Sequence, residues 1–117
     1  ESVHAAMELV AWREARREVF ERVDALLGTS CAAPRLVVLD DNFYYRSMRY
    51  SFCQLARKHR AALLTLHIVA SSGVAAERNR NRPDRERVSE DVMARMEELF
   101  ERPDPAAHPW EAPCVEL

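Results

Sequence analysis

The sequence predicts an α/β fold built on a parallel sheet. Two candidate strands, the continuous apolar run Arg35 to Leu39 and the stretch Leu63 to Ala70, carry that reading. Apolar continuity without alternation marks strands covered on both faces, as parallel strands are. The runs sit in the order helix, strand, helix, strand, helix, helix, tail. Two strands alone cannot be covered on both faces, so the sheet must be wider. The chain therefore reads as the later part of an α/β domain whose first strands are missing. Glu1 in place of Met agrees with a processed chain or a piece of a longer one.

Residues 3–27 predict one long helix, because Trp12, Ala15, Val19, Val23 and Leu26 recur at spacings of 3, 4, 4 and 3. Glu18 and Arg22 add an attractive pair one turn apart. Gly28 ends the helix and Thr29 to Pro34 form a loop. The first strand candidate then closes on Asp40 and Asp41. Residues 46–61 predict a second helix with Met48, Phe52, Leu55, Ala56 and His59 on one stripe. The second strand candidate turns at Ser71-Ser72-Gly73, and a short helical stretch from Val74 runs into arginines until Pro83 breaks it. Ser89 is a helix N-cap, with Glu90 and Asp91 favourable in the first turn and Val92, Met96, Leu99 and Phe100 on the apolar face. Pro103 ends that helix. The tail holds four of the six prolines and reads as extended, anchored by Trp110.

Composition excludes several classes. The 117 residues are 48% apolar and 31% charged, which suits one foldable domain. No apolar run approaches the ~20 residues of a membrane span, and no secretory signal is visible. Only two glycines occur, Gly28 and Gly73, so neither GxGxxG nor GxxxxGK[ST] can be written. Cys31, Cys53 and Cys114 are odd in number and lack a CxxC pair, which fits reduced thiols in a cytoplasmic protein. His4, His59, His67 and His108 show no ligand spacing.

Charge is segregated along the chain. Residues 42–82 hold eight basic side chains and one acidic, net +7, while residues 1–41 are net −3 and residues 83–117 net −6. A positive centre between acidic ends points to an anionic partner.

Three stretches could carry chemistry. Asp40 and Asp41 stand where a strand-end carboxylate can hold Mg2+ directly or through water; strands also end in Asp for turn reasons. Asn42 to Arg60 has five basic residues and no acid, interleaved with aromatics that can stack on bases. Tyr44 and Tyr45 follow the strand end, where α/β domains place ligand contacts. Arg78 and Arg82, four apart on a helix, could share a face and grip a triphosphate with two guanidinium forks, with Arg80 pointing elsewhere. A solvated helix end is the plain alternative for the same arginines.

The block DDNFYYRSMRYSFCQLARKHR, residues 40–60, resembles the L-seryl-tRNA(Sec) kinase family. WREARRE at 12–18, RNRNRP at 78–83 and the ERPDP…HPWE tail at 101–111 extend the resemblance over most of the chain. It implies the C-terminal portion, residues 1–117, of a P-loop kinase-like three-layer fold with a parallel sheet, its first strands and P-loop missing. A lid segment at about 74–88 and a Pro-rich tail at 103–117 follow from it. The implied reaction moves the γ-phosphate of ATP to the serine of seryl-tRNA(Sec), on the route to selenocysteine.

By the same resemblance Asp40 and Asp41 serve Mg2+, Tyr44, Tyr45 and Met48 meet the substrate, and Arg78 and Arg82 close on ATP phosphates. The partner is seryl-tRNA(Sec), with no DNA and no membrane. The P-loop and the carboxylate that would activate serine are expected upstream. One departure is the turn after the second strand, Cys-Pro in the family and Ser71-Ser72-Gly73 here. Two other readings stand beside it: a sister Elongator-associated P-loop ATPase linked to tRNA, and a non-catalytic RNA-binding or regulatory fragment.

Overall fold

The computed structural model describes the backbone from Val3 to Leu117 and the side chains from Val10 onward. Its elements are α1 (Val3–Gly28), α2 (Arg46–Lys58), β1 (Thr65–His67), α3 (Ser72–Arg80), α4 (Glu90–Leu99) and β2 (Cys114–Glu116), with single 3-10 turns at Asp84–Glu86 and Pro109–Glu111. The chain divides into two compact units, one of Glu1–Asp41 with Gln54–Ala62 and one of Asn42–Cys53 with Leu63–Leu117. Helix and a small parallel sheet thus occur together, as the sequence predicts of an α/β chain.

The first unit is built on α1 and the last turn of α2. It buries Val23, Leu55 and Ala56. Arg57 and Lys58 in the final turn of α2 suit the negative end of the helix dipole. The Arg35–Leu39 run forms no strand, and Leu36 and Val38 are 87% and 76% exposed. A strand exists only through a ladder of bonds to a neighbour. Among the described residues nothing pairs with this run, so its apolar character alone does not make it one.

The second unit contains the sheet. β1 pairs in parallel with β2, matching Thr65 to Cys114, Leu66 to Val115 and His67 to Glu116. Thr65 N–H donates to Pro113 O at 3.0 Å and Val69 N–H to Leu117 O at 2.9 Å, extending the pairing at both ends. The tail, and not the Arg35–Leu39 run, therefore supplies the parallel neighbour of β1. Burial along 63–68 alternates, with Leu63, Thr65 and His67 half-buried and Leu64, Leu66 and Ile68 exposed. This two-stranded sheet thus buries only one of its sides.

The helix caps follow the sequence closely. Ser71 caps α3 by accepting from Val74 N–H at 3.3 Å, and Ser89 caps α4 by accepting from Val92 N–H at 3.4 Å. α4 closes at Leu99 with Phe100 as its C-cap, one turn before Pro103.

Candidate functional site

The residues after the acid pair lead into α2 in the second unit. Phe43 has a φ of 41°, a left-handed conformation that costs a bulky side chain energy and needs support. Arg49, in the first turn of α2, supplies it by donating Nη1 to Phe43 O at 2.8 Å. The same guanidinium gives Nη2 to Glu101 O at 2.8 Å. It also grips Glu111 Oε1 through Nε at 3.0 Å and Nη2 at 2.7 Å. Arg49 is 9% exposed and Glu111 3%, so this is a desolvated, two-pronged ion pair.

Glu111 has further partners. Its Oε2 accepts the Asp104 amide at 2.6 Å and lies 3.7 Å from Arg46 Nε. Burial pushes its carboxyl up, but the Asp104 amide and the Arg49 and Arg46 guanidiniums outweigh that and hold it below the ordinary glutamate range.

This knot orders the tyrosines. Tyr44 O accepts from Glu101 N–H at 2.8 Å. Arg46 N–H donates to Glu101 Oε2 at 2.5 Å, opening α2 with a carboxylate at its positive end. The Tyr44 and Tyr45 rings lie 4.4 Å apart, tilted by 53°. Tyr45 is 37% exposed and Tyr44 half-buried. Met48 is buried, and its sulfur accepts the Tyr45 N–H at 3.3 Å. The three residues are brought together, with Met48 beneath the Tyr45 backbone. Trp110 packs edge-on against Tyr50 at 4.9 Å, the anchoring role read from the tail.

α3 carries Arg78 and ends at Arg80, with Asn81 as C-cap. Arg82 N–H bonds to Asn79 O at 3.1 Å, so the path continues one tighter turn. The four-residue spacing of Arg78 and Arg82 therefore spans the end of the helix. Both side chains are exposed. Arg87 Nη2 donates to Arg80 O at 3.0 Å and to Arg82 O at 3.1 Å.

Asp40 and Asp41 belong to the first unit and are both exposed. Two adjacent carboxylates suit Mg2+, which takes one or two and completes its shell with water and phosphate oxygens. Among the described residues no three His, Cys, Asp or Glu side chains are grouped to hold a metal by themselves. In the same unit Asp24 binds Lys58 Nζ at 2.9 Å and lies 2.5 Å from His59 Nε2. His59 and Lys58 together hold the Asp24 carboxyl below its usual range. Cys31 is free and exposed, its thiol lowered by the Ala33 backbone and by Arg35. His4 lies outside the residues whose side chains are described.

Arg49, Glu111, Asn79 and Arg87 are the residues that sequence reasoning missed. Arg49 counts there as one more member of a basic stretch. Its signal was indirect: the 40–60 block and the HPWE tail were both distinctive, and they meet at Arg49 and Glu111.

The family model described as "Chromatin associated protein KTI12" matches residues 7–117. The chain belongs to the KTI12 family. This KTI12-family chain is also similar to L-seryl-tRNA(Sec) kinase of Homo sapiens, 36% identical over 86 residues, covering 74% of the chain and 24% of the human protein. The Mus musculus protein of the same name matches at 36% over 86 residues, 74% of the chain and 23% of the mouse protein. The chain thus spans about a quarter of the length of these relatives. No solved structure matches. No helix among the described residues is long and apolar enough to cross a membrane.

Proposed function

We propose that this KTI12-family chain is part of an ATP-dependent kinase that phosphorylates the serine of seryl-tRNA(Sec). The carrying observation is its 36% identity to two proteins named L-seryl-tRNA(Sec) kinase. In this reading the chain is the portion of a P-loop kinase-like three-layer domain that follows the P-loop, with the lid at about 74–88 and the tail at 103–117.

Phosphoryl transfer rests on positioning and charge neutralisation more than on covalent chemistry from the protein. Asp40 and Asp41 would hold Mg2+, which bridges and neutralises phosphate oxygens when bound. Arg78 and Arg82 would meet the phosphates of ATP as permanent cations. Tyr44 and Tyr45 would face the aminoacyl end of the tRNA, with Met48 supporting Tyr45. The free thiols accord with a cytoplasmic setting.

The test is full-length protein with ATP, Mg2+ and seryl-tRNA(Sec). Phosphate should appear on the serine, and uncharged tRNA should stay unmodified. Tyr44→Ala should impair that transfer.

A second reading, carried over from the resemblance of the sequence, is a tRNA-stimulated ATPase of the Elongator-associated kind. Phosphate released only to water, in a tRNA-dependent way, would select it. Binding of tRNA with no use of ATP would leave a non-catalytic RNA-binding protein.

A further inference from the structure

The segment from Asn79 to Val88 is braced by its own side chains. Asn79 is the one buried residue of α3, 6% exposed among charged neighbours. Its amide makes a two-way clasp with one backbone unit. Nδ2 donates to Val88 O at 2.6 Å, and Oδ1 accepts Val88 N–H at 2.9 Å. Both polar ends of a buried amide are thereby satisfied, which avoids the cost of an unpaired one. The clasp closes the loop 80–87 at its base.

Arg87 closes it a second time. Its Nη2 is shared by the Arg80 and Arg82 carbonyls, and its Nη1 meets Asp84 Oδ1 at 3.1 Å. The last carbonyls of a helix have no partner within the helix, and a guanidinium fork is a good one. Pro83 stiffens the path, and Glu86 N–H returns to Pro83 O at 2.8 Å.

This bracing gathers like charges. Arg78, Arg80 and Arg82 make no ion pair among the described residues, and Arg87 is fixed against the same backbone. Holding cations together in advance is unfavourable by itself. It is useful when an anion must be met without the entropy cost of ordering the loop at that moment.

We propose that Asn79 and Arg87 are positioning residues, which hold the 79–88 loop closed so that Arg78 and Arg82 stand ready for the phosphates of ATP. This rests on the reading that those two arginines meet ATP. It adds that their effect depends on a clasp and a fork that touch no phosphate. The fork matters more than the charge, because Arg87 reaches the two carbonyls and the aspartate from two separate nitrogens and a lysine has one.

Two measurements on the full-length protein test it. Arg87→Lys keeps the charge, and Asn79→Ala removes the clasp. Limited trypsin digestion should cut after Arg80 and Arg85 roughly tenfold faster in both variants, the scale of one lost hydrogen bond. The KM for ATP should rise about tenfold in Arg87→Lys, while the Tm and the KM for tRNA stay close to the parent values. Arg80→Ala should leave the KM for ATP unchanged, since Arg80 contributes only its carbonyl to the brace.

Unchanged trypsin cleavage in Arg87→Lys, which should fold readily, overturns the brace. Faster cleavage with an unchanged KM for ATP overturns positioning if Arg82→Ala still raises that KM. If Arg82→Ala leaves it unchanged as well, the reading that the arginines meet ATP fails, and the positioning proposal fails with it.

Discussion

Two guanidiniums in the second unit do the same local job with opposite consequences. Arg49 and Arg87 each hold two backbone carbonyls and one carboxylate. Arg49 is desolvated and faces a buried glutamate. The Arg87 side chain is 44% exposed, among other arginines and against an exposed aspartate. A buried guanidinium is tolerable only when paired, so Arg49 ties fold to fold and leaves little charge to spare. An exposed one stays hydrated, so Arg87 can brace a loop whose neighbours keep their charge for something else. The first knot shapes the tyrosine segment, and the second shapes the arginine loop.

The hardest blow to this contrast would come at Glu111. Glu111→Ala leaves Arg49 charged, buried and unpaired, at a cost of about 3–5 kcal/mol. Denaturant unfolding of the full-length protein should show it. Replacing both partners with apolar residues, Arg49→Met with Glu111→Leu, should recover much of that loss. A single variant as stable as the parent would mean that the knot is not desolvated.

On the exposed side the effect should fall on activity. Arg82→Ala should slow phosphate transfer by roughly 10²-fold, and Arg80→Ala should have little effect. Similar small effects for both would return the segment to a solvated charge run.

A smaller effect is expected from acid. Glu111 is held below its ordinary value, so it binds a proton less readily folded than unfolded. Its contribution is complete above about pH 4.3 and is lost as pH falls through the lower folded value. Stability measured from pH 6 downward should decline less steeply in Glu111→Gln than in the parent.

The smallest effect belongs to the Arg17–Glu21 pair, one turn apart at 3.8 Å and largely exposed at both ends. Arg17→Ala should leave the thermal midpoint where it is, because water already competes for both charges.

Much of the local structure could be read from the residues in order. Helix spans follow from periodic apolar positions, and the α2 stripe is buried or half-buried at Met48, Phe52, Leu55, Ala56 and His59. Ser71 and Ser89 cap their helices because a hydroxyl next to the first turn has nearby N–H groups to accept. The acid pair, the tyrosines and the arginines could be named as candidates from residue type and spacing alone.

Which residues would meet was another matter. Nothing in the run Arg35–Leu39 says that its backbone lacks a described partner, and nothing in the proline-rich tail says that Cys114–Glu116 will pair with Thr65–His67. Strand pairing is a bond between distant segments, and neither segment alone encodes the other's position. Arg49 is similar. Its neighbours in sequence, the buried Met48 and the exposed Tyr50, cannot pair its charge, and Glu111, far along the chain, makes its burial affordable. Short-range physics settled helices, caps and candidate chemistry in the sequence itself. The partners of strands and buried charges were decided by the tertiary structure, because desolvation and backbone pairing depend on what arrives from elsewhere in the chain.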